Sequence, residues 1–144
     1  MRGARGLATA SAATHGLPRE LGAERVTDYT TTRFEEEAHD VDVVLDTIGD
    51  ETRARSWGTR RRGGLLVSTI LTLPAEDEAP AGVRGLSLLA QPSRDELIRI
   101  GALIDAGRVR PIVETVRPLT AARRAHEVSQ AGHARGKIVL RVAA

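Results

Sequence analysis

A chain of 144 residues, 41% hydrophobic and 28% charged, has the size and balance of one globular domain, and its longest apolar runs fall well short of the roughly 20 residues that cross a bilayer. The net charge of +2 is carried almost wholly by arginine, Lys137 being the only lysine. Tyr29, Phe34 and Trp57 stand alone, so the interleaving of basic and aromatic residues that serves nucleic-acid binding is missing. With no cysteine there is neither a disulfide framework nor a thiolate metal site, and the expected location is cytoplasmic. The basic start Met1–Leu7 is not followed by the apolar stretch of a secretory signal.

Short apolar runs alternate with helix-like segments, the pattern of a parallel sheet covered by helices. The predicted strands are 6–10, 25–28, 41–46, 65–70 and 85–90. Among them Val41-Asp42-Val43-Val44-Leu45-Asp46 has the β-branched content of a strand buried on both faces, with an acid where the strand should emerge. A short helix fits 18–21, Pro18 suiting its first turn and Gly22 its end. A second helix is expected over 51–62, which puts Arg60-Arg61-Arg62 in its last turn. There the three charges would complement the helix dipole, although they also suit a phosphate patch.

Residues 73–82, rich in proline, alanine and acids, read as a linker. The strongest helix signal is 94–106, where Ser93 and Glu96 have capping-box spacing, Leu97, Ile100, Gly101 and Ile104 share a face, and Gly107 supplies the stop. A last helix over 121–130 has Thr120 as its N-cap and Gly132 as its stop, before a strand over 137–142. The predicted fold class is therefore α/β.

Four phrases, Thr9-Ala10-Ser11, Leu21-Gly22-Ala23 with Asp28-Tyr29, residues 41–49 and residues 132–140, together resemble the nucleotide-binding half of the medium-chain dehydrogenases, in their zinc-free, quinone oxidoreductase-like branch. The resemblance implies a partial doubly wound, Rossmann-type parallel sheet, and NADPH as cofactor. A dinucleotide fold that holds NAD sets an acid at the ribose 2′-hydroxyl. Ser11 stands at that strand end, with Thr9 and Thr14 nearby, and these hydroxyls can donate to a 2′-phosphate. Family likeness adds Tyr29, whereas members often carry lysine where Thr14 stands. Ser11 reads equally well as a polar turn after a strand.

Ligands of open α/β sheets lie beyond the carboxyl ends of the strands. By resemblance, Thr47, Gly49, Ser68, Thr69 and Ile70 approach the nicotinamide side, Leu89 lies beside its amide, and Lys137 stands near the cofactor. Each also reads as ordinary loop or strand-end sequence. No metal site is expected, and no residue is assigned as catalytic acid or base. His15, His39, His126 and His133 lack zinc-ligand spacing.

The glycine-rich turn that carries the pyrophosphate is not among these residues. The resemblance makes Met1–Arg5 the tail of the family's first helix, so the first strand, that loop and the substrate domain are expected to be lacking. In the order 3-2-1-4-5-6 the first strand is central, and strands 6–10 and 41–46 should each show an unpaired edge. The whole chain is expected to form one partial domain, with 110–144 packing on a substrate domain in full-length members, and residues 112–116 and 138–142 left without their partners. The function implied is the nucleotide-binding part of an NADPH-dependent reductase of quinones or conjugated enones, inactive by itself. The alternative is a non-catalytic remnant that dimerises or binds a partner. Strand 85–90 is the edge expected to pair two copies.

Overall fold

The structure, a computed structural model, describes residues 3–70, 84–132 and 134–143. The chain divides into two compact units, Met1–Gln91 and Pro92–Ala144.

The first unit begins with strand β1 (Gly6–Ala10), helix α1 (Gly16–Glu20) and strand β2 (Ala23–Asp28). β1 and β2 run parallel, with Ala10 opposite Asp28, and Gly22, at φ +100°, supplies the left-handed residue that ends the helical segment. Phe34 opens a single 3-10 turn and is buried, with the Arg55 guanidinium over its ring at 5.1 Å. Strand β3 (Val41–Asp46), helix α2 (Asp50–Ser56), strand β4 (Arg60–Ser68) and strand β5 (Arg84–Ser87) follow. The last three strands form a parallel sheet in the order β3-β4-β5. β1 pairs only with β2, and β3 only with β4, so the described residues form two separate sheets here, each with the open edge expected from the order of the strands.

Two expectations are corrected in this unit. The helix expected over 51–62 stops at Ser56, and Arg60–Arg62 belong to a strand. Arg60 is buried against Trp57, its guanidinium 4.5 Å from the ring centre, and it donates to the carbonyls of Trp57 (3.0 Å) and Gly64 (3.4 Å). These contacts hold the chain in a bulge: Val41 pairs with Arg60 and Val43 with Leu65. Gly64 lies in its crook, where a Cβ would come 2.9 Å from the Arg61 carbonyl oxygen. The basic run is thus partly inside the fold. Nor is β3 buried on both faces, because Val43 is 56% and Leu45 63% exposed; among the described residues β4 is the only strand paired with β3. The expected linker lies outside the described residues.

In the second unit, helix α3 (Arg94–Asp105) is capped as expected: the Ser93 hydroxyl accepts from the Glu96 amide at 3.3 Å, and Gly107 takes φ +66°. Strand β6 (Val113–Pro118), helix α4 (Ala122–Gln130) and strand β7 (Lys137–Arg141) complete it. Thr120 is not the cap of α4: it lies inside a 3-10 turn, Leu119–Ala121, that precedes the helix. β6 and β7, for whose segments no partner was expected, pair in parallel with each other. Their approach depends on Gly136, where a Cβ would meet the Ile112 carbonyl oxygen at 2.4 Å.

Candidate cofactor site

In the first unit, the carboxyl ends of the strands gather the predicted residues into two groups. Beyond β1 and β2, Ser11 starts a 3-10 turn over Ala12–Thr14. The Ser11 and Thr14 hydroxyls are 3.1 Å apart, Thr14 Oγ1 also donates to the Ser11 carbonyl, and His15 Nε2 lies 3.0 Å from the Ala10 carbonyl. Across the sheet end, Asp28 Oδ1 accepts from the Thr30 amide (2.9 Å) and hydroxyl (2.7 Å), leaving Tyr29 exposed at the tip of that turn. Bonding by Thr30, first from its hydroxyl, together with the nearby His15 and Ala12 amide, holds the Asp28 carboxyl below its ordinary range. An acid therefore does stand at this end of the sheet, one strand over from Ser11. Only the pairing of Ala10 with Asp28 reveals it.

Beyond β3 and β4 lies the more ordered group. Asp46 is 4% exposed and Ser68 fully buried. Asp46 Oδ1 accepts from the amides of Ile48 (3.0 Å) and Gly49 (2.9 Å), while Oδ2 accepts from the Ser68 hydroxyl at 2.7 Å. Ser68 Oγ in turn accepts from the Ile70 amide at 3.1 Å. Backbone bonds run alongside: Thr69 N–H to the Asp46 carbonyl (3.0 Å) and Leu88 N–H to the Ser68 carbonyl (2.7 Å). Burial pushes the Asp46 carboxyl up, but the bonds from Gly49, Ser68 and Ile48 and the charge of Arg53 outweigh it, leaving the group below its usual value. Gly49 adopts φ +85° and ψ −164°, a conformation essentially confined to glycine. Ile70 packs beneath it, 3.1 Å from where a Cβ would stand.

Thr47, Gly49, Ser68, Thr69 and Ile70 are thus brought to one place, with Leu89 one residue beyond the bonded Leu88 amide. Lys137 opens β7 in the second unit. Sequence reading placed Asp46 at the strand end but missed it as the centre of this network; the signal was an acid closing an apolar strand, which a buried carboxylate fits only if it is fully bonded. His39 Nε2 lies 3.0 Å from the Glu36 carbonyl, a turn contact.

Parallel strands joined through helices, with ordered loops at their carboxyl ends, have the architecture of an open Rossmann-like α/β sheet. Residues 21–140 match the model of the "Zinc-binding dehydrogenase" family, and the chain belongs to it. It is 29% identical over 134 residues to the "Probable zinc-binding oxidoreductase, mitochondrial" of Arthroderma benhamiae, covering 86% of this chain and 40% of that protein. It is 31% identical over 135 residues to the "NADPH-dependent alkenal/one oxidoreductase, chloroplastic" of Arabidopsis thaliana, covering 92% of this chain and 32% of that one. The solved quinone oxidoreductase of Coxiella burnetii superposes with a TM-score of 0.85 at 30% identity, over 95% of this chain and 44% of that chain. The chain therefore spans less than half the length of these relatives.

The cytoplasmic expectation is corrected by the same relatives. The Arthroderma protein and the NAD(P)H oxidoreductases of Danio rerio, Mus musculus and Homo sapiens are mitochondrial by name. An absence of cysteine separates oxidising from reducing compartments and says nothing among the rest. There is no cysteine to serve as a thiolate ligand, and among the described residues no three side chains gather as metal ligands.

Proposed function

We propose that this chain is the nucleotide-binding part of an oxidoreductase that uses NADPH to reduce quinones or conjugated enones. The observation that carries the reading is the pair of loops Thr47–Gly49 and Ser68–Ile70, tied to each other and to the Leu88 amide at the carboxyl ends of three parallel strands. Support for the substrate class comes from relatives named as an alkenal/one oxidoreductase and a 2-methylene-furan-3-one reductase, and from the Coxiella quinone oxidoreductase. Bound NADPH would supply a hydride from its dihydronicotinamide to an electron-poor carbon, with a proton following from solvent. The residues' own part is to bind and orient. Ser11 and Tyr29 offer hydroxyls to the adenosine 2′-phosphate, Thr14, which donates to the Ser11 carbonyl, holds the Ser11 turn, and Asp28, its Oδ1 already engaged by Thr30, sits beside them. The nicotinamide faces the loops after β3 and β4, with Leu89 alongside.

NADPH and NADH titrated into the full chain, followed by amide resonances, test this reading. Shifts are expected at Ser11, Tyr29, Thr47–Gly49 and Ser68–Ile70 only at millimolar cofactor, since these 144 residues include no glycine-rich turn between a strand and a helix for the pyrophosphate, and Ser11 and Tyr29 should respond more strongly to NADPH. Silence at all of these positions at saturating cofactor refutes the reading. We further propose that two copies pair through β5, whose outer edge is open among the described residues and which is followed by exposed Leu88 and Leu89. Leu88→Lys should then abolish a dimer seen by light scattering. A monomeric wild type, or a dimer that persists in the variant, overturns the pairing.

A further inference from the structure

Resting on the cofactor reading above, we infer that Asp46 and Ser68 form the positioning pair of the site: one buried knot that holds the loops after β3 and β4 as a single surface. The two residues belong to different strands, are opposite each other in the β3-β4 register, and lie within the fold at 4% and 0% exposure. Each ties down a loop not by its own backbone alone but through the other. Asp46 orders its own loop by accepting from Ile48 and Gly49 with one oxygen, and uses the second to take the Ser68 hydroxyl at 2.7 Å. That bond fixes the Ser68 rotor with its lone pairs turned to the Ile70 amide at 3.1 Å. Ile70 then returns to the first loop, its side chain filling the space beneath Gly49.

The chain of contacts closes on itself: Asp46, Ser68, Ile70, Gly49 and back to Asp46. In such a ring each bond presets the next, so the geometry at one loop depends on side chains of the other. A charged acceptor strengthens the bonds at its centre. Neither residue offers an atom to a ligand. Their effect on the cofactor passes through the exposed residues Thr47, Ile48 and Thr69.

Amide hydrogen exchange on the full chain reads the coupling without any ligand. Ser68→Ala alters only the second loop, yet exchange at Ile48 and Gly49 in the first should accelerate by about tenfold, the worth of one bond to a charged group. The isosteric Asp46→Asn, chosen to preserve the fold, alters only the first loop, yet Ile70 should lose protection, because coupling acts in both directions. Val26 and Thr27 in the β1–β2 pair should be unchanged in both. Independent loops, with each variant affecting only its own side, overturn the proposal. Two half-cofactor probes then assay positioning. Reduced nicotinamide mononucleotide should bind each variant about tenfold more weakly, whereas 2′,5′-ADP, which addresses Ser11 and Tyr29, should bind as to wild type. Equal losses for both probes would mean a general loosening and sink the positioning role. If wild type binds neither probe, the cofactor reading falls, and the exchange data still decide whether the knot exists.

Discussion

Replacing Gly49 by alanine should be among the most damaging single changes in the first unit. At φ +85° and ψ −164° an L-residue is strained by about 1–3 kcal/mol. The new methyl would stand 3.1 Å from Ile70 Cγ2 and 3.4 Å from its Cβ, closer than ordinary contact, although Ile70 is partly exposed and can yield. Relief of the backbone strain would rotate the Gly49 amide away from Asp46 Oδ1, now at 2.9 Å, and a bond to a charged acceptor is worth about 1.5–3 kcal/mol. These two costs are alternatives rather than a sum, because strain relieved is a bond lost, so the expected destabilisation is about 2–3 kcal/mol. Urea unfolding followed by Trp57, the sole tryptophan, gives the midpoint and slope; the midpoint should fall with the slope unchanged. Gly16→Ala is the control, since nothing lies within 4 Å of its added Cβ, and it should leave the midpoint at or slightly above wild type. A Gly49→Ala protein within about 0.5 kcal/mol of wild type would show that the loop is not held as described.

Acid should weaken the first unit through Asp46. Its folded carboxyl lies below the usual value, so the stability it adds is complete above the unfolded value of about 4 and is lost as pH falls through the folded one; urea midpoints at pH 7 and pH 3 should therefore converge in Asp46→Asn relative to wild type. Ser93→Ala should fray α3 by about 0.5–1 kcal/mol, the low end for an N-cap given its 3.3 Å bond, seen as faster exchange at Glu96 and Leu97. Gly136→Ala should open the start of the β6–β7 pair, because its Cβ would stand 2.4 Å from the Ile112 carbonyl oxygen that now accepts from Lys137 at 2.7 Å. Loss of protection at Lys137 and Thr115 checks it.

Two strands were legible as short apolar runs: 6–10 and 41–46 coincide with β1 and β3, the second through its clustered valines. The cap at Ser93 was readable because its bond partner lies three residues away. What misled were features decided by distant contacts. Arg60 looks like a solvated charge until Trp57 lies under it; helical propensity across 57–62 then gives way to a strand bulge that no local period signals. Thr120 has a cap's chemistry but sits within a turn set by Pro118, whose extended φ and ψ fix the entry. At the site, the residue types at the strand ends were readable, but their joining by Asp46 and Ser68 depends on register between two strands 22 residues apart in sequence.

The distribution of burial explains why that joining is polar. Apolar side chains along β3 lie open, Val43 and Leu45 above all, and Leu86 on β5 is exposed as well, so hydrophobic covering cannot be what fixes the carboxyl ends of these strands. Buried polar groups stand there instead, Asp46 and Ser68, with Thr27 near the end of β2; a second set, Ser56, Thr59 and Arg60, lies between α2 and the start of β4. Hydrogen bonds are directional and hold a geometry that nonspecific burial would leave loose. Their net contribution to stability is modest, about 1 kcal/mol each, while leaving one such group unpaired costs more. The strand ends are therefore set more sharply than the sheet beneath them is covered. A layer packed over β3 from elsewhere would add stability without having to build the loops it covers.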